Sequence, residues 1–182
     1  ENSNISLFGR SDEHKQTGPN NTYKINFEQR FNNFNLGISY MNGLRNPTLY
    51  EMFGTDNFGY SGNRNLKPEK SNTYELYSNM ILNEYMNLSV RAFKANIQNN
   101  IEYINNKYQN DSDNIDLNQS GLSNQMNVKL KNINLDFFTS FLSSKKENGA
   151  SQLRRPNKNY GLNVYRNIEN SFLGNLKVSL KY

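Results

Sequence analysis

About nine stretches of this 182-residue chain alternate apolar and polar side chains with a period of two, and the connections between them are by turns long and short. Ile5 and Leu7 open the series. Tyr23, Ile25 and Phe27 then alternate with Lys24, Asn26 and Glu28, and Phe34, Leu36, Ile38 and Tyr40 alternate with Asn35, Gly37 and Ser39. The pattern returns at Tyr74–Leu82, Leu88–Ala92, Met126–Leu130, Ile133–Phe141, Tyr160–Val164 and Leu176–Tyr182. Long connections are expected near residues 14–20, 45–70, 105–116 and 143–157. Short ones are expected near 32–33, 83–86, 131–132 and 167–170. Strict alternation of loop length gives a sheet two unlike rims.

Composition decides what the two faces meet. The hydrophobic content of 35% and mean hydropathy of −0.90 are low for a packed soluble core and would suit a disordered chain. An aromatic content of 13% argues the other way, because disordered chains are poor in Tyr and Phe. A transmembrane β-barrel reconciles the two: one face of each strand meets lipid, the other a wet lumen, with tight turns at one rim and extended loops at the other. Lys24, Glu28, Arg91, Lys129, Lys131, Lys177 and Lys181 fall on the polar side, and Tyr and Phe are expected as interfacial girdles. A β-sandwich would mix its loop lengths. Between Phe93 and Ile97 the phase blurs, which predicts a bulge or a strand rising out of the membrane. About a fifth of the residues are Asn, which suits turns and loops. There is no Cys, hence no disulfide framework or thiolate site. The net charge of +5 is spread along the chain, with no cluster beyond Lys145-Lys146 and Arg154-Arg155, which argues against a nucleic-acid partner.

The long connection within Met41–Ser78 is the richest in signals. It spans about 25 residues, where hairpin loops usually have 2–5. Gly54, Gly59 and Gly62 are expected at flexible or positive-φ positions, and Pro47 and Pro68 stiffen its rims. Its Arg45-Asn46-Pro47-Thr48-Leu49-Tyr50-Glu51 segment is followed by Asn65-Leu66-Lys67-Pro68-Glu69-Lys70-Ser71 and by Tyr74-Glu75. This pair of spaced elements closely resembles the barrel domain of TonB-dependent outer-membrane receptors, with Arg45, Pro47, Glu51, Pro68, Glu69 and Glu75 at the motif positions. Leu153-Arg154-Arg155-Pro156 resembles a feature of the vitamin-B12-receptor-like branch.

That resemblance implies an all-β, antiparallel transmembrane β-barrel segment of about nine strands, an incomplete part of a larger barrel of roughly 22. Residues 1–182 would all be barrel, with the plug domain and both barrel ends outside them. It further implies uptake of a scarce ligand of the cobalamin or iron-siderophore class by TonB-coupled transport across the outer membrane of a Gram-negative bacterium. Outer-membrane lipid and lipopolysaccharide would surround the barrel, and TonB would act through the plug. No enzymatic activity and no cofactor are implied. The rival readings are a passive porin and a phospholipase-like barrel enzyme. The latter needs a Ser and a His in hydrogen-bond reach, and His14, the one histidine, has no neighbouring Ser-x-His arrangement.

Tyr50, Phe53, Phe58 and Tyr60, with Arg64, are the candidate ligand contacts of the long loop; the aromatics could equally pack on one another. Arg154 and Arg155 could hold lipopolysaccharide phosphates or simply lie on a solvated rim. Asp111 to Asp116 faintly suggests a calcium loop but lacks its central Gly and bidentate Glu, so a solvated loop is the better reading. The chain departs from the family near Asn118–Leu130. There Asn124, Asn127 and Lys129 stand where Gly and Glu are usual, and they are expected to face the lumen.

Overall fold

The computed structural model describes residues 2–14, 18–104, 107–110, 116–146, 149–151, 156–171 and 174–181. Their strands are β1 (Asn2–His14), β2 (Gly18–Arg30), β3 (Phe34–Arg45), β4 (Glu69–Asn83), β5 (Met86–Gln98), β6 (Ile101–Ile104), β7 (Lys107–Asn110), β8 (Leu117–Leu130), β9 (Ile133–Lys146), β10 (Lys158–Ser171) and β11 (Gly174–Lys181), with one helix, α1 (Leu49–Phe53). Nine strands form one antiparallel sheet in the order β1-β2-β3-β4-β5-β8-β9-β10-β11, and β6-β7 is a separate hairpin set between β5 and β8.

Register explains why the period-two pattern yields this sheet. Ile5 pairs with Phe27, Phe27 with Ile38, Ile38 with Leu76, Leu76 with Ala92, Ala92 with Leu122, and Leu122 with Phe141. Nearer the short turns, Met86 pairs with Val128, Val128 with Leu135, Leu135 with Val164, and Val164 with Leu180. A slip of one residue anywhere would turn a strand's apolar set to the wrong side. The aligned band stays open: Leu7 is 72% exposed, Ile38 54% and Leu180 72%. So broad an apolar surface is what a lipid-facing wall presents.

Aromatic rings mark both borders of the band. Tyr23, Tyr40 and Tyr74 form a row with ring centroids 5.8 and 4.9 Å apart on the long-loop side, and Phe31 stacks on Phe34 at 4.4 Å by a short turn. The row also measures strand tilt. Tyr160 is level with Thr139, Asn124, Val90 and Ser78 in turn, so it sits about four residues below Tyr74 after four strand-to-strand steps. A drift of one residue (~3.4 Å) per strand spacing (~4.8 Å) corresponds to a tilt of about 35°, within the ~35–45° of membrane barrels.

The opposite face is polar and cross-linked. Asn127 and Asn163 both donate to Asp136, at 2.8 and 3.3 Å, joining three strands. The Tyr77 hydroxyl reaches across β3 to Asn26 Oδ1 and Glu28 Oε2, both at 3.1 Å. It can do so because Gly37 lies beneath its ring: a Cβ there would stand 2.2 Å from Tyr77 Cζ. Gly37→Ala is therefore expected to lower barrel stability by about 1–3 kcal/mol. The same change made in a Tyr77→Ala background should cost almost nothing, and thermal unfolding of the four proteins of that cycle checks it.

Several expectations are corrected. The connection near 14–20 is not long: Gly18, Pro19 and Asn20 join β2 and pair with His14, Glu13 and Asp12, leaving residues 15–17 between the strands. Pro19 is tolerated because β2 pairs with β3 only from Lys24 onward, so its missing N–H breaks no ladder there. The turn expected at 167–170 falls later, since β10 continues to Ser171 with an irregularity after Ile168. Asn is no strand breaker where one face of the sheet is wet. No bulge interrupts Phe93–Ile97; their pairing with β4 is continuous. The apolar residues Phe93, Ala95 and Ile97 lie on the inner face, where folded loops cover the top of the sheet. Lys131 belongs to a turn, with φ 41°, not to the lumen face. Asn124 faces outward beside Val90, its amide donating to Thr139 Oγ1 at 3.2 Å, whereas Asn127 and Lys129 face inward.

Candidate functional site

Among the described residues, the buried side chains of Met52, Tyr60, Leu66, Ala95 and Leu117 gather where the long connections meet the sheet. The site is assembled from that rim, beginning at the end of β3. Arg45 donates from Nε to Glu69 Oε2 at 2.6 Å and from Nη1 to both Glu51 oxygens at 3.1 Å. Each carboxylate has a second task. Glu51 Oε2 accepts the backbone N–H of Thr48 at 2.7 Å, and Thr48 Oγ1 accepts that of Glu51 at 3.2 Å, a capping box that starts α1. Glu69 Oε1 accepts the backbone N–H of Ile101 at 2.7 Å, fixing the base of the β6-β7 hairpin. One guanidinium thus ties a strand end, a helix start and a second loop together.

Beyond α1 the chain doubles back. Thr55 bridges Ser61, and Asp56 Oδ1 accepts the N–H groups of Phe58 and Tyr60 at 2.8 and 2.9 Å, with Gly59 at φ 89° making the bend. Gly54 and Gly62 do not take positive φ as expected. Gly62 instead allows close approach, since a Cβ on it would meet the Met52 carbonyl carbon and the Phe53 nitrogen at 2.5 Å.

This return places Tyr60, 4% exposed, at the centre of four rings. It stacks on Tyr50 at 4.8 Å, contacts Tyr103 and Tyr108 of the hairpin at 6.0 and 5.8 Å, and donates its hydroxyl to the Tyr50 carbonyl at 2.6 Å. Burial and the surrounding groups raise the Tyr60 pKa above the usual phenol value, so it stays neutral. A third connection joins through Lys146, which donates to Glu102 Oε2 at 2.8 Å, a pair about four-fifths buried on both sides.

The candidate residues therefore divide. Tyr60 lies inside the cluster. Tyr50 and Phe53 are half exposed, Phe58 is 90% exposed, and Arg64 lies over the Phe53 ring at 5.3 Å. Pro47 is buried, Pro68 accepts from Asn99 at 3.3 Å, and Glu75 lies near Arg91 at 3.7 Å on the inner face. Pro156 is exposed, while Arg154, Arg155 and residues 111–115 lie outside the described residues; His14 ends β1. Tyr103, Tyr108 and Glu102 carry no motif in the sequence, and Lys146 stands out there only as half of the basic Lys145-Lys146 pair. A Tyr repeated at both ends of Tyr103-Ile104-Asn105-Asn106-Lys107-Tyr108 was the available hint.

An antiparallel wall with an apolar outer face, a polar inner face, aromatic borders and loops gathered at one rim is a segment of a transmembrane β-barrel. The chain belongs to the TonB-dependent receptor-like β-barrel family, whose model matches residues 3–179. Its fold is similar to the siderophore receptor PirA from Pseudomonas aeruginosa (TM-score 0.74, 19% identity), covering 98% of this chain and 33% of that one. It is also similar to the ferripyoverdine receptor of the outer membrane of Pseudomonas aeruginosa (TM-score 0.66, 14% identity, 99% of this chain and 29% of that one). A third likeness is to the copper transporter OprC (TM-score 0.64, 14% identity, 81% and 24%). The chain spans a third or less of the length of these structures.

Proposed function

We propose that residues 1–182 are part of the barrel of an outer-membrane receptor of a Gram-negative bacterium, which takes up a scarce, bulky ligand by TonB-coupled active transport. The plug domain, through which TonB acts, and the two ends of the barrel belong to the rest of that protein. The ligand class is iron-siderophore or cobalamin; the names borne by PirA and the ferripyoverdine receptor favour the siderophore side. The observation that carries this reading is the fused rim. Two long loops locked by Arg45 and Tyr60 hold Tyr50, Phe53, Phe58 and Arg64 on an accessible surface. Aromatic faces and a guanidinium suit a flat, anionic or aromatic chelate.

The test is uptake of labelled ferric siderophores and cobalamin by cells producing the full-length protein, with and without energy coupling. Uptake that persists in de-energised cells would leave the passive-porin reading instead. Phe58→Ala and Arg64→Ala are each expected to weaken ligand binding about tenfold, roughly 1.4 kcal/mol, with thermal unfolding unchanged. Equilibrium binding alongside calorimetry separates these effects.

A further inference from the structure

The short-turn rim of the sheet carries a step. β9 begins at Ile133, and its ladder with β10 ends where Asn134 meets Tyr165. β10 runs on to Ser171 and keeps β11 on its other side, with Arg166 level with Val178, Ile168 with Leu176 and Ser171 with Gly174. Residues 166–171 therefore have a strand partner on one side only. That is an edge of about 20 Å at ~3.4 Å per residue, and it offers N–H and C=O groups to any extended chain that comes beside it. In the angle between this edge and the β8–β9 turn lies a hollow of about 550 Å³, bordered by Lys129, Lys131, Asn134, Arg166 and Ile168.

The three cations of the hollow are exposed, and none has a carboxylate partner among the described residues. By contrast, Arg30 at the turn after β2 holds Glu28 at 2.8 Å, and Arg45 and Lys146 on the loop rim hold glutamates. Asp136, the next carboxylate along β9, already accepts from Asn127 and Asn163. The turn also keeps a lysine under strain: Lys131 has φ 41°, a conformation that asparagine or glycine adopts at less cost. Lys129 shares its face with Asn134 and Tyr165, Arg166 shares the other with Val164, and Lys131 stands at the tip. A strand laid against β10 would turn successive side chains to the two faces, so adjacent acidic residues match this arrangement and alternating ones do not. An inorganic anion would meet the cations and leave the edge unused.

We propose that the protruding edge of β10 docks an acidic, extended segment of a periplasmic protein, which joins the sheet as an added strand. The ladder groups of residues 166–171 hold its backbone, and Lys129, Lys131 and Arg166 take its carboxylates. The proposal rests on the reading that the short turns face the periplasm. It is tested on the full-length protein with four probes: a capped eight-residue threonine peptide carrying three adjacent glutamates, its glutamine counterpart, the glutamate peptide N-methylated at alternate backbone amides, and a soluble cell-wall muropeptide. The glutamate peptide is expected to bind at least about tenfold tighter than each of the others and, at saturation, to slow amide exchange at 166–171 about tenfold or more. Lys129→Gln combined with Arg166→Gln should remove the margin over the glutamine peptide. Lys131→Asn should weaken binding without lowering the unfolding temperature, because it relieves the turn. No binding of the glutamate peptide, equal affinity for any of the other three probes, or exchange at 166–171 that the peptide leaves unchanged each overturns the proposal. Orientation is read separately: Asn132→Cys in the full-length protein should react with a membrane-impermeant thiol reagent only after the outer membrane is permeabilised. Labelling in intact cells overturns the docking site together with the reading it rests on, whereas periplasmic labelling without selective peptide binding overturns the docking site alone.

Discussion

Arg45→Met is expected to loosen the whole loop rim while leaving the sheet intact. The guanidinium is 43% exposed, yet it is the shared donor to Glu51 and Glu69, whose side chains are only 11% and 16% exposed. Removing it leaves two largely buried carboxylates facing each other without a cation. Breaking a fully buried pair costs ~3–5 kcal/mol, and the partial exposure here lowers the expected loss to about 2–3 kcal/mol. The loss is local, because neither carboxylate belongs to the lipid-facing ladder. Glu51 is released from its capping box with Thr48, and Glu69 from the Ile101 amide. Backbone exchange at 46–68 and 101–104 should therefore accelerate about 30- to 150-fold, while exchange in β2–β5 stays unchanged. Arg45→Lys should fall between, since an ammonium cannot grip two carboxylates through separate fork positions. Exchange equal to that of the native protein in the Met variant would mean that the loops are held by their aromatic contacts alone.

The lipid-facing pattern was legible because its cause is local and periodic. Tyr23-Ile25-Phe27 and Phe34-Leu36-Ile38-Tyr40 each declare a face, and antiparallel pairing of Phe27 with Ile38 follows once Asn32-Asn33 is taken as the turn. The nine-strand sheet was readable for that reason. Misplacements occurred where residue type and local setting part company. Pro19 reads as a breaker but sits where β2 has a partner on one side only, and Asn167–Asn170 reads as a turn in a sheet whose inner face is wet. Asn124 follows the outward parity of Met126 and Val128, and its polarity concealed that until its partner Thr139 was placed. Around the rim, the Arg45, Glu51 and Glu69 motif positions were visible as letters, but their convergence on one guanidinium was not. Contacts between loops distant in sequence, such as Tyr60 with Tyr103 and Lys146 with Glu102, carry no periodic signature.

Tyr60→Ala is expected to have the largest effect of any single change in the loops. Its ring is the contact shared by Tyr50, Tyr103 and Tyr108, and it is nearly inaccessible to solvent. Deleting a buried aromatic side chain costs ~3–5 kcal/mol, a range that exceeds the expected cost of losing the Arg45 clamp. Tyr60→Phe keeps the packing and loses only the hydroxyl bond to the Tyr50 carbonyl, so about 1 kcal/mol is expected. The two variants should thus separate by more than tenfold in the exchange rates of residues 50–62 and 101–110. Ligand affinity should follow the same order, because Phe58 and Arg64 are positioned by the return strand that Tyr60 anchors. Phe58→Ala provides the contrast, weakening affinity without altering exchange. If Tyr60→Ala lowered affinity as Phe58→Ala does, with loop exchange untouched, Tyr60 would be a ligand contact and its role as the buried centre of the rim would be wrong. If loop exchange rises together with the loss of affinity, the long loop and the hairpin act as one preorganised surface, held in shape by the residue that the ligand itself does not reach.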